Sequence, residues 1–399
     1  MSLPRLLAIL FLNVGVAFCH ATDSPAIIAR LPHEGIKPSA AFDSAGVLHL
    51  VYFSGPTDGG DAFYVTSKDH GLNFSTPLRV NSQVKSVMGV SSIRGPRMAL
   101  GKDGAVHVLW NGVSEALPKA PLNPALPTDS KFNGIPLLYT RLDESRRAFE
   151  PQRNLMEKSC SIDGGSTITA DDSGNVYAIW HAMPLTGGKE SDRTVWMRKS
   201  TDNGKTFADE TSILPAPSGV CGCCSLAAQS SPAGEIAVLF RSAAGDGMER
   251  PMNLLVSKDH GTTFSRTALD EWPLKMCPMS SESVVPVTRG FAYAWEGKDG
   301  LRLARADLSA SLEDATKPLI VKTNAGKPLK YPSVATNQRG DILFVWTEGM
   351  GWNRGGNLLW EVFDATGMQS LGTGRVENIP ANDSPLALSQ PDGRFLILY

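Results

Sequence analysis

"SAGVLHLVY", Ser44 to Tyr52, decides the fold. A glycine opens it, a short and almost wholly apolar run follows, and an aromatic residue closes it. Glycine accepts the positive φ that a tight turn demands. The run behind it is the right length and composition for a strand buried on both faces. The same unit returns as "KDGAVHVLW" ending at Trp110, "DSGNVYAIW" at Trp180, "PAGEIAVLF" at Phe240, "VTRGFAYAW" at Trp295, "QRGDILFVW" at Trp346 and "PDGRFLILY" at Tyr399. The glycine stands six residues before the aromatic in every copy but one, where Gly290 stands five before.

Each unit reads as a β-hairpin, and a more polar strand pair follows most of them, as in "DAFYVTSKDHGLNF". Four short strands per unit, repeated radially, describe a β-propeller. The expected fold is therefore all-β, a six- or seven-bladed propeller, and the hairpin count favours seven. The last hairpin has no outer pair after it, so the strand near Ala26-Ile27-Ile28 is expected to close the ring. A β-sandwich array is the structural alternative, but it does not account for so regular a spacing.

Three outer hairpins carry one pattern: "SKDHGLNF" (Ser67 to Phe74), "STDNGKTF" (Ser200 to Phe207) and "SKDHGTTF" (Ser257 to Phe264). A degenerate copy, "RLDESRRAF", ends at Phe149. The S-x-D-x-G-x-x-F pattern resembles the Asp-box, or BNR repeat, of sialidases and related propellers. Its aspartates, Asp69, Asp202 and Asp259, are expected to bind backbone N–H groups inside their turns. His70 and His260 are expected to be solvated, and His49 and His107 to be core or channel-wall residues.

The sialidase resemblance implies a glycosidase site: an arginine triad, a Tyr/Glu nucleophile pair and an aspartate acid. Arg94-Gly95-Pro96 is similar to the sialidase R-I-P element, and Arg241 precedes an Asp-box hairpin. Tyr331 and Glu348 would supply the nucleophile pair. The match is incomplete, because Arg94 lies in the second unit, glycine replaces the middle residue, and a third arginine is not evident. The alternative to catalysis is a propeller that binds a glycan or protein.

The chain has 399 residues, with 38 basic against 40 acidic, and no basic run suggests nucleic acid as a partner. Met1 to Ala21 reads as a signal peptide, with Arg5 before an apolar Leu6–Phe18 and small residues at Cys19 and Ala21. No later segment approaches the ~20 apolar residues a membrane span needs. The expectation is a signal peptide over 1–21, a single propeller domain over 22–399, and a periplasmic or secreted product without lasting membrane insertion.

Five cysteines remain after position 21: Cys160, Cys221, Cys223, Cys224 and Cys277. Cys160 lies twenty residues before Trp180, Cys223 and Cys224 seventeen and sixteen before Phe240, and Cys277 eighteen before Trp295. All therefore fall just before the innermost strand of successive blades, where a propeller converges on the mouth of its channel. One reading is a soft-metal site, with thiolates joined by the thioethers of Met276 and Met279 and by the His181 imidazole; copper fits best and zinc is the alternative. A second reading is structural disulfides, which an exported chain can keep, though five is an odd number. A third is a redox-active thiol set. The C-x-C-C segment together with Trp272, Cys277 and Pro278 resembles a group of exported bacterial BNR-repeat proteins, which implies the same fold and cysteine constellation but no reaction.

Overall fold

The computed structural model describes residues 25–91, 93–127, 130, 132–214, 218–243, 249–274, 276–309, 317–351 and 353–399. The segment expected to be a signal peptide, with Cys19, lies outside these residues.

Seven sheets succeed one another along the chain. Their innermost strands are Ile36–Phe42, Arg97–Leu100, Ser166–Ala170, Leu226–Ser230, Glu282–Val287, Leu329–Thr336 and Leu386–Ser389. Each pairs antiparallel with the strand that follows its glycine turn. These seven strands contact one another in cyclic order, the seventh returning to the first, so the sheets are blades 1 to 7 of a closed propeller. Blade 7 is completed by Ala26–Ala29, which lies parallel to Phe395–Leu398 with Ala26 opposite Phe395 and Ala29 opposite Leu398. The two ends of the chain thus close the ring.

The repeat forms because each blade leaves both faces apolar and can bury them only against its neighbours. Among the described residues the core divides into seven clusters, each straddling two consecutive blades. The aromatic that ends each unit belongs to this packing: Trp110, Trp180, Phe240 and Trp295 are fully buried. The glycine before them takes φ between 69° and 91° in six copies, a conformation that strains any residue with a Cβ. Gly290 differs, at φ 145°, matching its shorter spacing.

The S-x-D-x-G-x-x-F turns share one hydrogen-bond scheme. In the first, Ser67 Oγ donates to Asp69 Oδ1 (2.8 Å) and accepts from the Gly71 N–H (2.9 Å), while Asp69 accepts from the Asn73 N–H (2.9 Å). Asp202 and Asp259 repeat it with Thr206 and Thr263. These bonds to the ionised form pull all three carboxyls down to about 2. Asp143 keeps the turn in the degenerate copy, accepting from the Arg147 N–H at 3.0 Å.

Of the two turn histidines, His70 differs from expectation and His260 does not. His70 Nδ1 meets Gln390 Oε1, and its Nε2 lies 3.0 Å from Arg394 Nη2, both in blade 7. His260 Nδ1 stands 3.7 Å from Asp171 in blade 3. The first turn thus leans on the blade before it through His70, which is half-buried, while His260 stays largely exposed, as expected of a solvated turn residue. His49 and His107 are core residues, each bonded through Nδ1 to a tyrosine hydroxyl, of Tyr64 (2.6 Å) and Tyr139 (2.9 Å). Among the described residues no helix is long and apolar enough to cross a membrane.

Candidate functional site

The channel mouth lies where the innermost strands begin, and its backbone is unusual. Lys37, Ser91, Ser161, Met279, Tyr331 and Asn382 all have φ between 46° and 63°. They stand at or just before six of the seven innermost strands. Non-glycine residues in this region cost ~1–3 kcal/mol each, and such outliers gather at functional sites.

The C-x-C-C segment enters blade 4 as a tight turn. The Cys221 N–H bonds the Arg241 carbonyl (2.9 Å), and the Cys224 carbonyl accepts from the Gly165 N–H of blade 3 (2.9 Å). The Gly222 N–H donates to Glu190 Oε1 (3.1 Å), and Glu190 is gripped by both terminal nitrogens of Arg250 at 3.0 Å. Cys277 arrives from blade 5. The sulfur atoms of Cys221, Cys223, Cys224 and Cys277 all lie within 4.8 Å of one another. In the structure they are joined as Cys221–Cys224 and Cys223–Cys277, with Cα–Cα distances of 5.5 and 6.6 Å. Cys221 Sγ is 3.8 Å from Cys223 Sγ, across the two bridges. Cys221 and Cys224 are buried, whereas Cys223 and Cys277 keep an exposed edge.

Two of the other expected ligands, Cys160 and His181, are engaged elsewhere. Cys160 is buried on a short strand paired with the end of the second strand of blade 3, and its thiol points at the carbonyls of Met183 and Pro184 (both 3.5 Å). Burial pushes that thiol up in pKa. Ser159–Cys160 pairs with an extended strand end instead of running to the mouth, so the register argument fails for Cys160 alone. His181 is fully buried behind Cys224, with Nε2 2.9 Å from the Gly165 nitrogen and 3.0 Å from the Cys224 carbonyl. Burial lowers it to about 4, so it is a neutral backbone clamp, not a fifth ligand. Met276 is exposed and Met279 half-buried, and both flank Cys277 in the chain.

The glycosidase candidates are dispersed. The Arg94 guanidinium is tied to Asp163 and to the Val90 carbonyl. Arg241 is buried, bonding Ser280 Oγ (2.6 Å) and the carbonyls of Arg250 and Glu296, with its guanidinium 4.5 Å over the Trp272 ring. That stack explains the tryptophan of the cysteine pattern. Glu348 pairs with Arg375 (3.0 Å) and Lys327 (3.8 Å) and does not line the channel. Only Tyr331 of the four lines the central cavity. Structure therefore spends Arg94, Arg241 and Glu348 on holding loops and strands.

Two cavity residues escaped the sequence reading: Glu282 and Arg97, each the first residue of an innermost strand. The available signal was a charge heading an otherwise apolar strand, in "ESVVPV" and "RMAL". Glu296 and Lys330 were missed too. Lys330 Nζ donates to Glu296 Oε2 (3.0 Å) and to the carbonyls of Pro278 (3.2 Å) and Met279 (3.3 Å), beside Cys277.

No protein-family model matches the chain, and no curated protein matches its sequence. Solved structures match in fold. A protein of unknown function from Dyadobacter fermentans is 15% identical, with a TM-score of 0.51 over 81% of this chain and 93% of that one. An ulvan lyase bound to -[GlcA(1-4)Rha3S]- is 13% identical, with a TM-score of 0.52 over 89% and 88%. The Hadza microbial sialidase Hz136 is 11% identical, with a TM-score of 0.48 over 82% and 68%. At these identities the likeness is one of fold. With its three Asp-box turns, the chain is a seven-bladed β-propeller.

Proposed function

We propose that this is an exported propeller, a single domain over 22–399, whose channel mouth carries a reducible four-cysteine centre that holds one soft metal ion when its thiols are reduced. The observation that supports this reading is the mutual approach of four sulfur atoms within 4.8 Å, contributed by two blades. Thiolates select Cu(I) and Zn(II) over hard cations, and four of them complete a tetrahedral zinc set without help. The thioethers that favour copper flank Cys277 in the sequence, so the reading admits either ion. Bound metal would supply charge that keeps the four thiols ionised.

The chain's own residues hold this centre. Glu190 and Arg250 fix the Gly222 backbone, His181 fixes the Cys224 carbonyl, and Lys330 fixes the Cys277 loop. Cys223 and Cys277, at the exposed edge, are the pair a dithiol reductant reaches first. Opening both bridges consumes two equivalents of dithiol and leaves four thiols.

The test is a metal titration of the chain reduced with dithiothreitol and freed of reductant under anaerobic conditions. One Zn(II) or Cu(I) should bind per chain. Serine at Cys223 and Cys224 together should abolish binding, and Cys160→Ser should leave it intact. Stoichiometric binding that survives the double replacement overturns the assignment. If the reduced chain binds no metal, the four cysteines are structural: Cys223–Cys277 clamps blade 4 to blade 5, and Cys221–Cys224 staples the turn into blade 4.

A further inference from the structure

Directly beneath the cysteine turn the channel narrows to a cavity of about 190 Å³, lined by all seven innermost strands. At ~30 Å³ per water it holds a handful of waters or one compact ligand. Arg97 enters it from blade 2 and Glu282 from blade 5. Glu282 is 7% exposed, and both of its carboxyl oxygens are buried without a hydrogen-bond partner. Leaving such a group unsatisfied is costly, which marks a place that a ligand or ordered water completes.

The remaining lining is rich in donors. Ser39, Ser283 and Ser333 each accept a backbone N–H from the next blade, of Met98 (2.9 Å), Val334 (3.2 Å) and Ala387 (2.9 Å). Each hydroxyl therefore has an acceptor position occupied and its own proton to give. These donors surround the channel axis instead of lying along one side. A group with oxygens on several faces meets such a ring better than a planar carboxylate does.

We propose that the channel is a binding site for a tetrahedral oxyanion, a sulfate or phosphate group, held by the Arg97 guanidinium and the carboxylic acid of Glu282.

Glu282 is suited to this because burial raises it to about 8, so at neutral pH it carries the proton and donates instead of repelling the anion. The charges around it divide. Glu296, on the second strand of blade 5, raises it further, while Arg241 of blade 4 and Arg97 oppose the shift. Ser225 also favours the ionised form slightly, without closing a bond of ordinary geometry. Lys330 of blade 6 is committed to Glu296, and Arg241 to Ser280, Arg250 and Glu296. Arg97 is the guanidinium left to meet a ligand.

The same chemistry could come from the free ion or from an ester on a sugar. Calorimetric titration of the full chain at pH 6.5 would use sodium sulfate and glucose 6-sulfate in parallel, with sodium acetate as the planar control. Saturable one-to-one binding of either sulfate probe is the expected result. Tighter binding of the sugar would identify the ester as the source, and equal or weaker binding would identify the free ion. Arg97→Gln should weaken binding by about tenfold or more. Wild-type affinity should fall about fivefold as the pH is raised from 8 to 9, where Glu282 ionises. Glu282→Gln keeps a neutral donor of the same shape, so it should bind at pH 6.5 and lose that fall. This second variant decides the matter if Arg97→Gln does not fold. Absence of saturable binding, acetate binding as tightly as sulfate, binding unaltered by Arg97→Gln in a folded chain, or an unaltered pH profile in Glu282→Gln would each overturn the proposal.

Discussion

Lys330 and Glu296 form a buried ion pair across blades 6 and 5, 3.0 Å apart, and Lys330 Nζ also donates to the carbonyls of Pro278 and Met279. Glu296 Oε1 meanwhile accepts from the N–H groups of Ser281 and Tyr331. One pair of charges thus ties the Cys277 loop to the wall of the channel.

Removing one member leaves the other charge buried and unpaired, which typically costs ~3–5 kcal/mol. Lys330→Met is expected to lower stability by about 3 kcal/mol, read as a shift in urea midpoint. In the reduced chain it should also speed alkylation of Cys277. The double variant Lys330→Met/Glu296→Gln should cost less than the sum of the singles. A single-variant cost near zero would show that the loop is held by something else.

The two bridges should differ in weight. Cys223–Cys277 spans 54 residues and Cys221–Cys224 spans 3. Chain entropy assigns the longer loop ~4 kcal/mol and the shorter ~2 kcal/mol. Under oxidising conditions Cys277→Ser should therefore destabilise more than Cys221→Ser in urea unfolding, and each leaves a single widowed thiol. An oxidised chain starting at residue 22, denatured without reductant, should show one reactive thiol, that of Cys160. Equal destabilisation would mean that the pairing differs.

Acid should weaken the fold in two stages. His107 and His181 are buried, and desolvation holds both near 4. Their folded values lie below the unfolded value of ~6.5, so the unfolded chain takes up protons first. Stability from these groups is complete above about pH 6.5 and falls by ~1.4 kcal/mol per pH unit per histidine down to about pH 4. Urea midpoints measured across this range should decline, and His107→Gln should remove about half of the slope. A flat profile would contradict their burial as neutral rings.

The second stage belongs to the Asp-box turns. Asp69, Asp202 and Asp259 sit at about 2, below the unfolded carboxyl value of ~3.9. Their contribution is present above about pH 4 and is lost as pH falls towards 2. Replacing all three with Asn should flatten the stability profile between pH 4 and 2 while leaving the histidine stage unaltered. These turns lie at the surface, so the effect should shrink at high salt.

The propeller itself was legible in the chain. A glycine five or six residues before an aromatic, repeated seven times, encodes a turn, a buried strand and a blade contact, all within nine residues. Closure by Ala26–Ala29 followed from the missing outer pair of the last unit. The Asp-box turns were equally legible, because their bonds join residues two to four apart. Sequence spacing could also bring Cys221, Cys223, Cys224 and Cys277 to one mouth, since the repeat converts position along the chain into position around the axis.

What spacing could not decide was where each side chain points and what it meets there. Cys160 shares the register of the other thiols yet turns to the carbonyls of Met183 and Pro184. Arg94 and Arg241 look available in the sequence and are consumed by Asp163, Ser280 and backbone oxygens of their own and neighbouring blades. Arg97, three residues from Arg94, is the one that reaches the channel, and Glu282 becomes a neutral acid only because seven strands enclose it. Local patterns are written by bonds between near neighbours and so survive in the sequence. Charge, burial and partnership at the axis are sums over seven blades, and only the closed ring fixes them.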